Sequence, residues 1–231
     1  MAVLECAGLS KSYGAVKALE DIDLKVEPGR VVGLLGPNGS GKTTLIKLAN
    51  GLLQPSAGRI LVCGREPGPE TKAEVSYMPE RLEMPEWTRV CRLADFFADF
   101  YADFDRARAA ELLERLGIDG ESRLRQLSKG LRQKVQLSLV MSRRAKLYLL
   151  DEPFGGMDPA SRDLMLETVL QSRAPEAAVV ISTHIITDVE RVLDDVVFLD
   201  RGGVRLCSPA AELRAREGKS VDELFREVFR C

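Results

Sequence analysis

The chain opens with apolar and polar residues in alternation and then changes to continuous apolar runs. In residues 21–26 the apolar side chains share one face and charged side chains occupy the other, which predicts a half-buried antiparallel strand. Residues 31–35, VVGLL, are apolar throughout, as in strands that are covered on both faces of a parallel sheet. Residues 59–63 and 75–78 have the composition of two further short strands.

The spacing of the apolar residues becomes helical between residues 88 and 117. Two groups of apolar side chains each share one helix face there: Val90, Leu93, Ala94 and Phe97, then Ala109, Leu112, Leu113 and Leu116. Gly117 ends the second of these helices. Ser128 begins another helix, which we predict to extend to about Arg144. The pattern therefore predicts a helical insert that lies beside the sheet.

Strand patterns return in the last third of the chain. Residues 147–151 and 177–182 are apolar runs typical of buried strands, and Pro159 marks the first turn of a helix between them. Residues 196–207 predict a hairpin that closes the sheet. Residues 220–229 begin with a capping box and predict a C-terminal helix.

These elements predict one α/β domain over residues 1–231, with a helical insertion. We assign residues 1–79 and 146–207 to a catalytic core, and residues of about 80–145 to the helical part. Residues 208–231 form a short C-terminal helical tail in this division.

Composition narrows the class of protein. With 45% hydrophobic residues, 29% charged residues and a net charge of −2, the chain has the composition of a soluble globular protein without an overall basic field, so we predict no nucleic-acid partner. The cysteines lack a CxxC pair, which argues against a zinc site or a disulfide framework and favours a reducing compartment. They are Cys6, Cys63, Cys91, Cys207 and Cys231.

The sequence also carries no recognisable segment for export or membrane insertion. Its first residues lack the basic and apolar regions of a signal peptide, and no apolar run approaches the roughly 20 residues that span a bilayer. We therefore expect a cytoplasmic location, with any membrane association supplied by a partner.

Residues 36–43, GPNGSGKT, fit the pattern G-x-x-x-x-G-K-[ST] between a buried strand and a helix. The glycines allow backbone N–H groups to turn toward a phosphate chain. Lys42 would reach the β- and γ-phosphates, and the Thr43 hydroxyl would take one position on Mg²⁺. The alternative, a glycine-rich turn with an incidental lysine, does not explain the full pattern. The predicted nucleotide-binding residues here are Gly36, Pro37, Asn38, Gly39, Ser40, Gly41, Lys42, Thr43 and Thr44.

Two carboxylates follow the buried strand at residues 147–151. Asp151 stands at the carboxyl end of this strand, where ligands bind in open α/β sheets, and can hold Mg²⁺ through water. Glu152 follows at once and can orient or deprotonate an attacking water. The alternative is a pair of carboxylates that cap a loop, which is less favoured beside a phosphate-binding loop.

Six features, in chain order, resemble the nucleotide-binding subunit of an ABC transporter. They are Tyr13, GPNGSGKT, LSKG, LYLLDEP, GGMDP and His184, and the resemblance covers residues 3–207. It implies a P-loop NTPase core with a mainly parallel sheet, an N-terminal antiparallel β subdomain and a helical subdomain insertion. It also implies an ATPase that works with a second nucleotide-binding subunit, the same or different. A separate integral membrane permease would hold the pair on the inner face of the cell membrane.

The resemblance gives a role to residues 127–134, LSKGLRQK. This segment has the pattern of a helix N-terminus, which attracts anions through its unpaired N–H groups. In the family, two subunits dimerise head to tail and each ATP lies between the phosphate loop of one copy and the LSKG segment of the other. Ser128 and Gly130 would then meet the γ-phosphate that Lys42 of the other copy binds.

Further roles are implied for Tyr13, Asp158 and His184. Tyr13 would stack on adenine, with packing against a strand edge as the alternative. Asp158 would lie at the dimer interface, and the cap of a helix is a second role that it can hold at the same time. His184, the only histidine of the chain, would contact the γ-phosphate and position water.

Two positions depart from the family pattern. Glu80 stands where the family usually carries glutamine. A carboxylate can still ligate Mg²⁺, although it adds negative charge, and a plain surface turn is the alternative. Leu131 replaces the glutamine that usually follows the LSKG segment. Both variants resemble single-domain subunits of ABC-2-type exporters, so export is our expectation.

The segment from Glu80 to Phe104 is where the family receives the coupling helix of its permease. Aromatic residues that would line this groove are Trp87, Phe96, Phe97, Phe100 and Tyr101, with core packing as the alternative. An ABC ATPase without a permease, of the iron–sulfur assembly type, is the second hypothesis. A P-loop kinase or nucleotide sensor is a third, although neither requires the LSKG segment or His184.

Overall fold

The computed structural model describes residues 1–81 and 84–229, so Cys231 and the end of the predicted tail lie outside the described residues. The smaller sheet is antiparallel, in the order β2-β1-β4. Its strands are β1 (Leu4–Tyr13), β2 (Val16–Val26) and β4 (Ala57–Val62). The larger sheet contains β3 (Val31–Leu35), β5 (Val75–Met78), β6 (Leu147–Asp151), β7 (Ala178–Thr183), β8 (Asp195–Asp200) and β9 (Gly203–Pro209).

The strand order in the larger sheet is β5-β6-β7-β3-β8-β9, with only β9 antiparallel to its neighbour among the described residues. Strands β3, β6 and β7 occupy its middle and are buried at every position. Their continuous apolar sequences follow from this double coverage. The α/β fold with a mainly parallel sheet and an N-terminal antiparallel sheet is therefore confirmed.

The helices of the described residues connect and cover these sheets. They are α1 (Lys42–Ala49), α2 (Pro69–Lys72), α3 (Val90–Phe100), α4 (Arg106–Arg115), α5 (Lys129–Met141), α6 (Pro159–Ser172), α7 (Ala210–Glu217) and α8 (Val221–Val228). Short 3₁₀ turns are Leu124–Gln126 and Glu190–Val192. No helix in the part of the chain that the structure describes combines the length and the apolar character that a membrane span requires.

Several element boundaries differ from the sequence predictions. Strand β2 starts at Val16, because Tyr13 pairs directly with Val16 across a tight turn at Gly14, which has φ of +59°. Strand β4 ends before Cys63, whose φ of +49° turns the chain. Helix α2 was not predicted, and α7 was predicted only as an undivided part of the C-terminal helical tail, because each is short and lacks a clear apolar period.

Three hydrophobic clusters fill the spaces between these layers. One lies on the face of the large sheet that α5 and α6 cover, and a second lies between the two sheets and α1. The third belongs to the helical region alone and includes Val90, Leu93, Leu113, Leu116, Val135 and Leu139. Val90, Leu93, Leu113 and Leu116 were predicted to lie on shared helix faces, whereas Leu112, predicted on the same face as Leu113, belongs to the first cluster. The division of the chain into core, helical part and tail stays a prediction.

One buried arginine ties the helical region to the sheet. Helix α5 ends at Met141 rather than at the predicted Arg144, and Arg143 then turns inward with 2% of its side chain exposed. Its guanidinium donates to Asp103 at 3.0 Å and to the carbonyl oxygen of Val75 at 2.5 Å. The guanidinium carbon also lies 3.8 Å from the ring centroid of Tyr101. A charge so deeply buried is stabilised only by such a complete set of partners.

Candidate functional site

Three strands of the large sheet deliver the predicted catalytic residues to one edge. Strand β3 runs through residues 36–41 into α1, β6 ends at Asp151, and β7 ends just before His184. Parallel pairing sets Asp151 opposite Ser182. Because the carboxyl ends of parallel strands meet at one edge, residues far apart in sequence become neighbours here.

The phosphate-binding loop has a backbone that only its glycines allow. Gly39 and Gly41 have φ of +80° and +110°, in the region that favours glycine. A Cβ atom on Gly36 would lie 2.4 Å from the carbonyl oxygen of Leu199, and one on Gly41 would lie 2.7 Å from that of Ala18. The loop is therefore held between β8 and β2, and no side chain caps the first N–H groups of α1. These N–H groups are available to an anion.

Lys42 is buried at the base of this loop, with 6% of its surface exposed. Its Nζ donates to the carbonyl oxygens of Gly36 at 2.8 Å and Pro37 at 3.2 Å, and lies 3.6 Å from Glu152 Oε1. Burial lowers the pKa of Lys42, and the nearby carboxylates of Glu152 and Asp151 oppose this change. The ammonium group is thus held where a phosphate chain in the loop would meet it.

Asp151 lies beside the first turn of α1. The Thr43 hydroxyl donates to Asp151 Oδ1 at 3.2 Å, and the Ser182 hydroxyl donates to the same oxygen at 2.5 Å. Burial raises the pKa of Asp151, whereas the hydrogen bonds from Ser182 and Thr43 act in the opposite direction. Thr43 and Asp151, each predicted separately to hold Mg²⁺, are therefore in direct contact.

Glu152 follows in a left-handed backbone conformation, with φ of +48°. Its Oε2 lies 3.0 Å from His184 Nδ1, and its Oε1 is buried without a hydrogen-bond partner among the described residues. His184 keeps 48% of its side chain exposed. Lys42, Glu152 and His184 thus form one cluster, as expected of residues that act on the same phosphate and the same water.

The other predicted residues lie outside this cluster. Ser128 caps α5 by accepting a hydrogen bond from the Leu131 N–H at 3.2 Å, and Asp158 caps α6 by accepting one from the Ser161 N–H at 3.0 Å. Both caps are exposed. They belong to neighbouring segments, because a Cβ atom on Gly130 would lie 3.7 Å from Met157 Cγ.

Tyr13 lies at the end of β1, with 47% of its surface exposed. Lys11 Nζ lies 5.3 Å from the centroid of its ring, within the range of a cation–π contact. An exposed ring face of this kind is compatible with stacking on a base, and the strand-edge alternative accounts for only part of the side chain.

Comparison with known proteins decides the family. A family profile described as ABC transporter matches residues 19–155. YtrB, an ABC transporter ATP-binding protein of Bacillus subtilis, is 33% identical over 201 residues, which are 86% of this chain and 69% of YtrB. EcsA, an ABC-type transporter ATP-binding protein of the same species, is 30% identical and is covered over 97% of its length by 99% of this chain.

This chain belongs to the ABC transporter family. A solved ATP-binding subunit of an ABC transporter superposes on the chain with a TM-score of 0.88 at 33% identity, covering 99% of this chain and 100% of the other. A dimeric cassette with bound ADP and Pi has a TM-score of 0.80 at 18% identity and shows the shared fold. The chain is an ABC ATP-binding cassette, and it is an ATPase that binds nucleotide.

Two oxygen-bearing side chains of this ABC cassette, Thr43 and Asp151, fit Mg²⁺ when the nucleotide supplies further ligands. Among residues 1–81 and 84–229, no three His, Cys, Asp or Glu side chains are grouped as a metal site. Thr43 and Asp151 supply one hydroxyl and one carboxylate side by side. Mg²⁺ binds oxygen ligands and commonly takes the rest from phosphates and water, so these two side chains fit it. The Ser40 hydroxyl is buried without a partner in the described residues, which leaves a further polar group beside the loop.

Glu80 is exposed and borders two cavities of the cassette. A cavity of about 300 Å³ is lined by residues 38–44 together with Ala18, Glu80 and Glu152. Glu80 is also one of the carboxylates that raise the pKa of Asp151, after burial and Glu152. Glu80 therefore borders the same cavity as Thr43 and Asp151, and its place on the metal stays a prediction.

The second cavity, of about 550 Å³, extends from Thr43 and Asp151 to the helical region. Phe96, Phe97 and Tyr101 line it. Phe97 also packs against the third hydrophobic cluster, in agreement with the core-packing alternative, and the role of this groove stays a prediction. Trp87 and Phe100 are among the exposed large side chains but do not line this cavity.

Sequence reasoning missed two polar residues of the cassette. Ser182 contacts Asp151 directly, and its only sequence signal is that it stands two positions before His184. Gln136 is buried and its amide donates to the Pro79 carbonyl oxygen at 2.6 Å, which connects α5 to the residue before Glu80. No motif pointed to Gln136, because the contact joins segments 57 residues apart.

Proposed function

We propose that this cassette binds Mg-ATP in a head-to-tail dimer and hydrolyses it to drive a separate integral membrane permease. The observation that carries the proposal is the convergence of Lys42, Thr43, Asp151, Glu152 and His184 at one edge of the sheet. Residues 1–79 and 146–207 would form the catalytic core, residues of about 80–145 the helical part, and residues 208–231 the tail.

Within one copy, each residue of the cluster has a separate task. Lys42 and the loop N–H groups bind the phosphates, while Thr43 and Asp151, with Glu80 beside them, hold Mg²⁺. The metal, when bound, neutralises charge on the phosphate oxygens. Glu152 orients and deprotonates the attacking water, since its carboxylate reaches both Lys42 and His184. His184 contacts the γ-phosphate and holds the water.

A second copy supplies the remaining contacts. Ser128, Gly130 and Asp158 lie on adjacent segments and are at least partly exposed, which leaves their surface available to another chain. Apart from these contacts across the interface, Tyr13 contributes an exposed ring to the adenine. In this arrangement ATP is part of the interface and its hydrolysis weakens the dimer.

The permease would dock in the groove lined by Phe96, Phe97 and Tyr101, on the inner face of the membrane. Export is supported by the names of relatives. The daunorubicin resistance ATP-binding protein DrrA3 of Streptomyces coeruleorubidus is 33% identical, over 96% of this chain and 73% of DrrA3. The Nod factor export ATP-binding protein I of Cupriavidus metallidurans is 30% identical over 87% of this chain. Leu131, at the position where the family usually carries glutamine, agrees with this subfamily.

The substitution Glu152→Gln tests the catalytic part of the proposal. This variant keeps the shape of the side chain but removes the base, so we expect ATP binding, hydrolysis slowed by about 10²–10⁴-fold, and a dimer on sizing in Mg-ATP. Glu176→Gln, an exposed carboxylate outside the cavities that border the loop, is the control and should turn over normally. Full turnover by Glu152→Gln would contradict the role of Glu152, and a monomer in Mg-ATP would contradict the shared site.

Co-purification tests the permease. A candidate permease co-expressed with this chain should bind the wild type and the variant Val228→Asp, which changes an exposed residue of α8. Phe96→Asp, which places a charge in the groove, should lose the complex while retaining ATP binding. Equal binding by all three proteins would contradict docking in this groove.

A further inference from the structure

Ser182 lies at the carboxyl end of β7, between the two carboxylates of the proposed site. It is fully buried, with 0% of its surface exposed. Its hydroxyl donates to Asp151 Oδ1 at 2.5 Å and accepts a hydrogen bond from the Glu152 N–H at 3.2 Å. A hydroxyl can donate one hydrogen and accept others on its lone pairs. Ser182 is the donor in the bond to Asp151 and the acceptor in the bond from Glu152, so it makes both bonds at the same time.

The bond to the Glu152 N–H acts on an unusual backbone. Glu152 has φ of +48°, and a non-glycine residue keeps such a conformation only where its surroundings hold it. The N–H of Glu152 points at Ser182 alone: it donates to the carbonyl oxygen of Ser182 at 3.0 Å as well as to the hydroxyl. From this backbone the Glu152 side chain reaches His184 Nδ1 and Lys42 Nζ.

The bond to Asp151 sets which oxygen of that carboxylate is used. Ser182 and Thr43 both donate to Oδ1, and no described residue donates to Oδ2. Oδ1 is therefore fixed by two hydroxyl groups, which leaves Oδ2 as the oxygen that is open to a further ligand. Carboxylates that hold a metal are commonly oriented by hydrogen bonds of this kind.

We infer that Ser182 is the positioning residue that orients Asp151 and Glu152 together. Its hydroxyl bonds to the side chain of Asp151 and to the backbone N–H of Glu152. The predicted metal-holding carboxylate and the predicted base therefore keep a fixed distance and orientation. The inference rests on the proposed roles of Asp151 and Glu152, and it assigns Ser182 a role through them rather than on substrate.

A buried serine with a merely structural hydrogen bond is the alternative, and the same sheet contains an example. Ser76 on β5 is 1% exposed, and its hydroxyl donates to the Val140 carbonyl oxygen at 2.8 Å. Ser76→Ala removes a buried hydrogen bond of the same kind without touching the site. It is the matched control for Ser182→Ala.

The first measurement uses the full chain without nucleotide. His184 is the only histidine, so its ring gives a single set of NMR signals that report the contact with Glu152. We expect Ser182→Ala to shift these signals toward their positions in Glu152→Ala. Ser76→Ala should leave them unchanged.

The second measurement compares the affinity for ATP in the presence of Mg²⁺ with the affinity for ATP in EDTA. The ratio of the two is the Mg²⁺-dependent gain, and kcat is measured alongside it. Loss of a group that orients a metal-holding carboxylate commonly costs about 10- to 100-fold. We expect Ser182→Ala to lose about that factor in the Mg²⁺-dependent gain and in kcat, with affinity in EDTA within twofold of the wild type. Ser182→Cys keeps the size but has a weak donor and acceptor, so it should resemble Ser182→Ala.

Two results would overturn the inference. One is a Ser182→Ala protein that matches Ser76→Ala in the His184 signals, the Mg²⁺-dependent gain and kcat. The other is full activity in Ser182→Cys, which would show that the position requires only shape. Failure of the proposed function looks different, because the wild type itself would then gain no ATP affinity from Mg²⁺.

Discussion

Helices α1 and α5 both begin at a segment predicted to meet phosphate, but their N-termini are built differently. Gly41 precedes α1 and offers no side-chain cap, and the buried Lys42 lies beneath it. Ser128 precedes α5 and closes that end itself through the Leu131 N–H. The first N-terminus is enclosed by its own chain, whereas the second is exposed.

The two glycines show the same difference. A Cβ atom on Gly41 would lie 2.6 Å from Leu19 Cδ2 and 2.7 Å from the Ala18 carbonyl oxygen, so the packing of this chain requires glycine. A Cβ atom on Gly130 would meet nothing closer than Met157 Cγ at 3.7 Å, an ordinary contact. Nothing within one copy requires glycine at residue 130. A requirement there, if measured, comes from another molecule.

The largest expected effect belongs to the enclosed N-terminus. Lys42→Ala removes the buried ammonium group that faces the phosphate loop, and charge-assisted hydrogen bonds contribute about 1.5–3 kcal/mol each. We therefore expect ATP affinity to fall by about 10- to 100-fold in equilibrium binding. Lys25→Ala, which changes an exposed lysine paired with Glu5, should bind ATP normally. Unchanged ATP affinity in Lys42→Ala would contradict phosphate binding at the N-terminus of α1.

Exchanging the glycines sharpens the contrast. Gly41→Ala forces a left-handed residue and two overlaps, so we expect a loss of about 1–3 kcal/mol in the free energy of unfolding. Gly130→Ala places alanine in a helix and should gain up to about 1 kcal/mol. If Gly130→Ala nevertheless loses ATP-dependent dimerisation, the glycine serves the second copy. Equal destabilisation by the two substitutions would contradict the packing argument.

Removing the cap of α5 tests its exposed N-terminus with a smaller expected change in stability. Ser128→Ala should cost about 1 kcal/mol of stability, as expected for loss of an N-cap, and should also prevent the ATP-dependent dimer. Ser220→Ala removes the equivalent cap of α8, where the hydroxyl accepts from the Glu223 N–H at 3.1 Å. This control should lose similar stability in thermal melts and still dimerise. A dimer of normal strength in Ser128→Ala would argue against a role for Ser128 in the partner site.

The smallest expected effect is a pH dependence of stability at the N-terminus of α6. The cap there is Asp158, which is charged, whereas the cap of α5 is a neutral serine. Hydrogen bonds from Ser161 lower the pKa of Asp158, so the ionised form favours the folded state. Its stabilisation is present above the unfolded pKa, near 3.9, and is lost as pH falls through the lower folded pKa. The difference in Tm between the wild type and Asp158→Asn should therefore shrink between pH 6 and pH 3. A difference that grew in acid would show the opposite sign.

Most of the site around the N-terminus of α1 could be predicted from the sequence. The phosphate loop is one continuous segment whose glycines and lysine are set by local backbone geometry, and Asp151 follows from a strand pattern. Its contact with Thr43 could be expected from the sheet edge, because parallel strands end together. The helical faces around Val90 and Leu113 were also predictable, since they repeat at helical spacing.

Contacts that depend on pairing between distant strands could not be predicted in the same way. Ser182 meets Asp151 because β6 and β7 pair in one particular register, and a single serine in an apolar strand does not reveal its neighbour. Gln136 is similar, since its partner is a backbone carbonyl oxygen rather than a motif. The left-handed conformation of Glu152 is set by its surroundings, as glutamate has no preference for it.

Arg143 has a consequence for the way the chain loses its structure. Its guanidinium donates to Asp103 and to the Val75 carbonyl oxygen and contacts Tyr101, so it is bonded on both sides of the boundary between helices and sheet. Separating the two layers would break all of these contacts at once, which costs more than fraying a surface helix. We therefore expect the helices and the sheet to unfold together on heating, in one cooperative calorimetric transition.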